Sequence, residues 1–184
     1  MSKDKAPHRG HEPHVLLLTG APGVGKTTVI RRLTERLGAQ RLHGFYTEEM
    51  RQAGKRQGFR LVSFSGLELV IAHVNFSREH RVGKYGVDTA AMDEAARLVD
   101  PDRTASVYLV DEIGKMECLS GRFVGAMRTL MEGATPVVAT VALRGGGFIA
   151  EVKAMQACLL WTVTPANRDE MPARIEAWLG QARP

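Results

Sequence analysis

One stretch, Gly20-Ala21-Pro22-Gly23-Val24-Gly25-Lys26-Thr27, constrains this chain more than any other. It matches G-x-x-x-x-G-K-[ST], and a second threonine, Thr28, follows it. The apolar run VLLLT leads into it and the helix-compatible TTVIRRLTERLG leads out, which is the strand, turn and helix context a phosphate-cradling loop requires. Glycines let successive backbone N–H groups turn onto phosphate oxygens, and the helix N-terminus adds its partial positive charge. Lys26 would reach the β- and γ-phosphates, and the Thr27 hydroxyl would serve as a Mg²⁺ ligand. A dinucleotide fingerprint needs G-x-G-x-x-G, whereas Gly20, Gly23 and Gly25 stand in the wrong order of spacings. The lysine and threonine after the last glycine favour a nucleoside triphosphate.

From Val15 onward, short apolar runs alternate with amphipathic stretches, the pattern of a parallel sheet covered by helices. The expected strands lie at about 14–19, 105–111, 136–142 and 159–164, and the expected helices at about 26–38, 88–99, 119–132, 148–157 and 169–179. An α/β three-layer P-loop fold follows, with a mostly parallel sheet. Between Leu42 and Ala72, β-branched and aromatic residues flank a polar, glycine-containing turn, which reads as an antiparallel hairpin forming a flap beside that sheet. Residues 14–184 are expected to form one domain behind a flexible polar lead-in at 1–13, a length that suits a single buried core.

The longest apolar runs, Val15–Leu18 and Ser106–Val110, fall far short of the ~20 residues of a spanning helix. The start of the chain lacks the apolar stretch of a secretory leader, and the only cysteines are Cys118 and Cys158. A reducing, cytoplasmic setting fits this composition. Neither cysteine has CxxC or zinc-ligand spacing, so both read as buried small hydrophobes. His8, His11 and His14 recur every three residues, but no carboxylate or cysteine completes a ligand set. The net charge of +5 suits an anionic substrate and would equally suit weak nucleic-acid binding. No block of consecutive basic residues marks a nucleic-acid arm, and a monomer is expected.

Val107-Tyr108-Leu109-Val110-Asp111-Glu112 reads as an apolar strand ending in two carboxylates, as a Walker-B element does. Asp111 would hold Mg²⁺, directly or through a water. Side chains alternate along an extended chain, so Glu112 would point elsewhere, toward the γ-phosphate, where it could polarise an attacking water.

With these motifs in place, the chain resembles the small P-loop proteins known as cancer-related, or thermophile-type, nucleoside-triphosphatases. The segments GAPGVGKTT at 20–28, GFYTEE at 44–49, RVGKYGVD at 81–88, VDEIGKME at 110–117 and NRDE at 167–170 carry the likeness. The resemblance implies a RecA-like α/β fold, slow hydrolysis of several nucleoside triphosphates such as ATP and GTP, and Mg²⁺ as cofactor.

Further candidates come from composition. Arg81 and Lys84, set among glycines, suit a loop that closes on phosphates, although an ordinary basic surface loop has the same composition. Arg144, before three consecutive glycines, could act as an internal arginine finger on a mobile loop; a flexible connector is the competing reading. Asn167 and Arg168 could meet the nucleobase by edge pairing and stacking, or Asn167 could cap the last helix. Glu48 and Glu49 fit a solvated strand end, and Lys115 could sit above the site or cap a turn.

Three functions stay open on sequence. The leading one is hydrolysis to diphosphate and phosphate, with Lys26, Thr27, Asp111 and Glu112 at its centre. The second is γ-phosphoryl transfer to a nucleotide or other small acceptor, because the same groups serve either acceptor. The third is an ATP-regulated nucleic-acid-binding module, ranked last because aromatic residues make up only 6% of the chain and the basic ones are dispersed.

Overall fold

Alternation of buried side chains to two faces of one sheet builds the layers. The computed structural model describes residues 13–38 and 41–181. The lead-in expected at 1–13, with His8 and His11, lies outside the described residues except for Pro13. The elements run β1 (Val15–Thr19), α1 (Lys26–Leu37), β2 (Leu42–Gln52), β3 (Lys55–Ser63), β4 (Glu68–His73), β5 (Arg81–Val82) and β6 (Tyr85–Val87). They continue with α2 (Thr89–Ala95), β7 (Val107–Ile113), α3 (Gly121–Glu132), β8 (Val137–Val141), α4 (Phe148–Ala154), β9 (Cys158–Thr162) and α5 (Met171–Gln181). Turns of 3₁₀ helix cover Ala96–Val99 and Glu117–Leu119.

All strands join one sheet in the order β5-β6-β4-β3-β2-β7-β8-β1-β9. Along β1, Val15 and Leu17 enter the core beneath α2, α3 and α4, while Leu16 and Leu18 enter the core beneath α1 and α5. β7 does the same, with Tyr108 and Val110 on the first face and Val107 and Leu109 on the second. A strand buried on both faces reads as a continuous apolar run, as VLLLT does. Burying each such side chain contributes ~1.5–3 kcal/mol. The helix–sheet–helix fold expected from the alternation is the one found.

The antiparallel part exceeds the single hairpin expected over 42–72. β2, β3 and β4 form a meander, and the short β6 and β5 extend it. Parallel pairing is confined to β2–β7, β7–β8, β8–β1 and β1–β9, so the sheet is half antiparallel rather than mostly parallel. β5 and β6 hold two and three residues, too few to show a period.

Local chemistry sets the helix ends. α1 buries Val29, Ile30, Leu33 and Leu37 on one stripe and closes at Gly38, whose φ of +55° and N–H bond to Thr34 O end the helix. Asp88 caps α2 by accepting from Ala91 N at 3.0 Å, and Ser120 caps α3 by accepting from Phe123 N at 2.9 Å. The bounds of α4 and α5 differ from those expected, α4 by ending early and α5 by a shift of two residues at each end. α4 stops at Ala154 because Met155 is already extended, and α5 starts at Met171, with Pro172 in the first turn where a missing N–H costs nothing.

Gly44 joins the flap to the parallel sheet. It pairs with Leu109 across β2 and β7 at a φ of +100°, and a Cβ there would run into the Leu109 carbonyl. Gly44→Ala should therefore lower the unfolding free energy by about 2–4 kcal/mol, read from denaturant midpoints. An unchanged midpoint would mean that this crossing tolerates a side chain.

Candidate active site

The loop after β1 owes its path to its glycines. Gly20 backs onto the Val163 carbonyl, where a Cβ would sit 2.6 Å away, while Gly23 and Gly25 have φ of +75° and +108°. Val163 N donates to Thr19 O at 2.7 Å, locking the loop base to the segment after β9. α1 begins directly at Lys26, so its unsatisfied first-turn N–H groups face the loop.

This loop forms one wall of a cleft of about 970 Å³. The flap, the end of β7 with residues 114–117, and the loop after β8 form the others. Gly20, Pro22, Gly23, Gly25, Lys26, Thr27 and Thr28 line it. Ala21 and Val24 belong to the loop without lining the cleft, and Val24 packs into the core beneath α1.

Lys26 is only 8% exposed; its Nζ donates to Gly20 O at 3.3 Å and lies 3.6 Å from Glu112 Oε2. Thr27 Oγ1 donates to Asp111 Oδ2 at 2.6 Å. Two hydroxyls that were not expected also reach this carboxylate: Thr140 Oγ1 donates to Oδ1 at 2.5 Å and Thr47 Oγ1 to Oδ2 at 3.3 Å. Asp111 is fully buried, and three elements satisfy it by hydrogen bonds, as a buried charge demands.

Asp111 and Glu112 lie near the end of β7 as expected, with the strand running one residue further, to Ile113. Pairing with β8 shifts register between Val110 and Ile113, and Ile113 thereby returns to the same core as Val110. Glu112 faces the cleft and is 32% exposed. Burial pushes its carboxyl above the usual range, Lys26 pulls it down, and Asp111 adds to the rise.

Glu117 is the acidic residue that the sequence reading left unassigned. It lines the cleft, is 6% exposed, and is pushed up to about 8, chiefly by burial, with Glu112 and Asp111 adding to the rise. A Cβ on Gly114 would fall 2.8 Å from Glu117 Oε2 and 3.1 Å from Glu112 Oε1, so glycine leaves room for both carboxyls. Glu117 and Thr47 stand within the segments VDEIGKME and GFYTEE, which supplied that signal. Thr140 had only the sign of a lone hydroxyl in the apolar run VVATV.

Arg144 and Lys115 line the cleft. Glu48 and Glu49 do too, but within β2 and paired: Glu48 with Arg60 and Arg31, Glu49 with Arg51 and Arg56. Arg81 is not brought to the cleft, because its Nε donates to Gly83 O within its own turn. Lys84 is likewise spent on Arg56 O at 3.0 Å. Asn167 accepts from Thr164 N at 2.8 Å and donates to Thr162 O at 2.9 Å, so its amide closes the turn after β9 instead of capping α5. Arg168 lies against the back of the loop, its Nη1 3.4 Å from Val24 O. Both cysteines are free and packed against the core, and burial pushes Cys118 up to about 12 and Cys158 to about 11. No described helix is long and apolar enough to cross a membrane.

The Glu117 environment predicts a stability slope. The unfolded carboxyl titrates near 4.5 and the folded one near 8, so between those values the folded state holds the extra proton and stability falls as pH rises. Glu117→Gln should flatten that fall, gaining on the wild type between pH 5 and 9 in denaturant midpoints. Parallel slopes for the two proteins would contradict this environment.

The comparisons with known proteins agree with this geometry. A family model described as NTPase matches residues 15–176. The nucleoside-triphosphatase THEP1 of Thermotoga petrophila is 37% identical over 158 residues, covering 85% of this chain and 87% of that protein. The human cancer-related nucleoside-triphosphatase is 36% identical, covering 85% and 91%. The crystal structure of THEP1 from Aquifex aeolicus superposes with a TM-score of 0.76 at 34% identity, over 90% of this chain and 98% of that one. The solution structure of a human cancer-related nucleoside triphosphatase gives 0.79 at 32%, over 93% and 100%. With a family model over most of its length and relatives at 36–37% identity, this chain belongs to the NTPase family of nucleoside-triphosphatases.

Proposed function

We propose that this chain hydrolyses nucleoside triphosphates, ATP and GTP among them, to diphosphate and phosphate. The observation that carries this reading is that Lys26, Thr27 and Glu112 line one cleft, with the fully buried Asp111 bonded to Thr27 behind it. The two alternatives weighed on sequence, transfer to a small acceptor and a nucleic-acid module, find no support among relatives named nucleoside-triphosphatases.

The residues around Asp111 fit Mg²⁺. Their donors are one carboxylate and hydroxyls, all hard oxygen atoms. Among the described residues no group of three or more His, Cys, Asp or Glu forms a complete protein cage, and Mg²⁺ takes few protein ligands, filling its shell with phosphate oxygens and water. Thr27 and Asp111 would hold it, and when bound it supplies charge neutralisation on the β- and γ-phosphates.

The chain's own groups do the rest. Backbone N–H groups of residues 20–28 and the start of α1 bind the phosphates. Lys26, already poised between Gly20 O and Glu112, turns its charge to the γ-phosphate. Glu112 orients a water and takes its proton as the water oxygen bonds to the γ-phosphorus and the bond to the bridging oxygen breaks. The diphosphate leaves with that bridging oxygen, and the proton passes from Glu112 to solvent. Arg144 offsets the charge that builds on the phosphoryl oxygens, and Arg168 stacks on the base from the outer side of the loop. Arg81 and Asn167, spent on their own turns, have no part in this reading.

Phosphate release from ATP, GTP, CTP and UTP by wild type and Glu112→Gln tests the proposal. The variant should bind nucleotide within ~3-fold of wild type and lose ~100-fold or more of its turnover. Chelation of divalent cations should abolish release in the wild type. Unchanged turnover in Glu112→Gln would remove Glu112 from this role.

A further inference from the structure

Lys153, on the last turn of α4, makes bonds that the hydrolytic reading does not use. Its Nζ donates to Ala142 O at 2.6 Å and to Leu143 O at 3.0 Å. Among the described residues it pairs with no carboxylate within 4.0 Å, so its charge is spent on two successive backbone carbonyls. Those carbonyls lie immediately before Arg144. Ala142 N in turn donates to Ile113 O at 3.1 Å, one residue beyond Glu112. One side chain thus links α4, the start of the Arg144 loop and the carboxylate strand β7.

The rest of that loop is pinned as well. A Cβ on Gly145 would fall 2.6 Å from Ile149 Cδ1, so its backbone lies against the first turn of α4. Gly147 starts that helix at a φ of +57°, and Glu151 N and Ala150 N both donate to Gly147 O. Three consecutive glycines suggest mobility, yet two of them are held by close packing or by a left-handed turn. Between these anchors the Arg144 side chain lines the cleft with no hydrogen-bond or ion-pair partner among the described residues. A fixed backbone sets where the Arg144 guanidinium can reach, while its side chain stays free to meet an entering anion. Lys153 bears the cost of that arrangement, since burial lowers its pKa and Glu112 opposes the change only in part.

We propose that Lys153 is a positioning residue, whose grip on the Ala142 and Leu143 carbonyls sets the backbone from which Arg144 reaches the triphosphate. The proposal rests on the reading of Arg144 as the cation that meets the phosphoryl group. It assigns Lys153 no contact with the nucleotide, so the loss on removing Lys153 should fall on kcat and pass chiefly through Arg144, with a smaller part through Glu112, whose carboxyl feels the Lys153 charge.

Steady-state hydrolysis of ATP by wild type, Lys153→Met, Arg144→Ala and the double variant separates these roles. Lys153→Met should lower kcat by ~10-fold or more with KM held within ~2-fold, and should lower it by no more than ~2-fold once Arg144 is gone. An equal loss in both backgrounds, or no loss in the wild-type background, would overturn the proposal. Failure of the Arg144 reading shows separately, as wild-type turnover in Arg144→Ala alone, and the proposal falls with it. Should Lys153→Met not fold, Lys153→Gln, whose stem is two methylenes shorter and sets its amide short of the Ala142 and Leu143 carbonyls, gives the same comparison, with thermal melting to confirm that each variant is folded.

Discussion

The hydrogen bond from Thr27 to Asp111, 2.6 Å long, is the contact on which the site depends. It joins the first turn of α1 to β7, although β8 and not β1 is the neighbour of β7 in the sheet. A carboxylate buried this completely would be costly if unpaired. The intervening strand offsets that cost by supplying Thr140, and β2 on the other side supplies Thr47. Strand order, hydroxyl placement and the burial of Asp111 are therefore one arrangement, and none of the three survives alone. The positive φ of Gly44 inside β2, which lets β2 run close to β7, belongs to the same arrangement.

Around this centre, two carboxyls meet different surroundings. Glu112 meets Lys26 and partial solvent, so opposing influences act on its carboxyl, whereas Glu117 lies deeper and has no such cation. Two carboxyls on either side of Gly114 thus face different demands, and the proposed reading gives the task of accepting a proton from water to Glu112. The flap meets the cleft with Glu48 and Glu49 already neutralised by arginines, which leaves Lys26, Arg144 and Lys115 as its positive side.

Legibility from sequence followed the range of the interaction. The phosphate loop was readable because strand, glycines and helix are contiguous, and the two-faced core because its apolar runs declare themselves residue by residue. The strand carrying Asp111 and Glu112 was readable too, but not how Asp111 is satisfied inside it, since the hydroxyls that reach it, Thr47 and Thr140, come from distant strands. β5 and β6 escaped because their register comes from close packing, such as that of Gly86 against the Phe76 and Ser77 carbonyls, and not from periodicity. Arg81 and Asn167 carried the right chemistry for a ligand, but each has a nearer partner in its own turn, and composition does not rank a local bond against a distant one.

The central claim is that water, directed at the γ-phosphorus from the Glu112 side of the cleft, is the acceptor. Hydrolysis in water enriched in ¹⁸O, followed by mass analysis of the products, tests it most directly. The account predicts one labelled oxygen in the released phosphate under single-turnover conditions and none in the diphosphate. Label in the nucleotide product, or release of pyrophosphate, would place the attack elsewhere and contradict it.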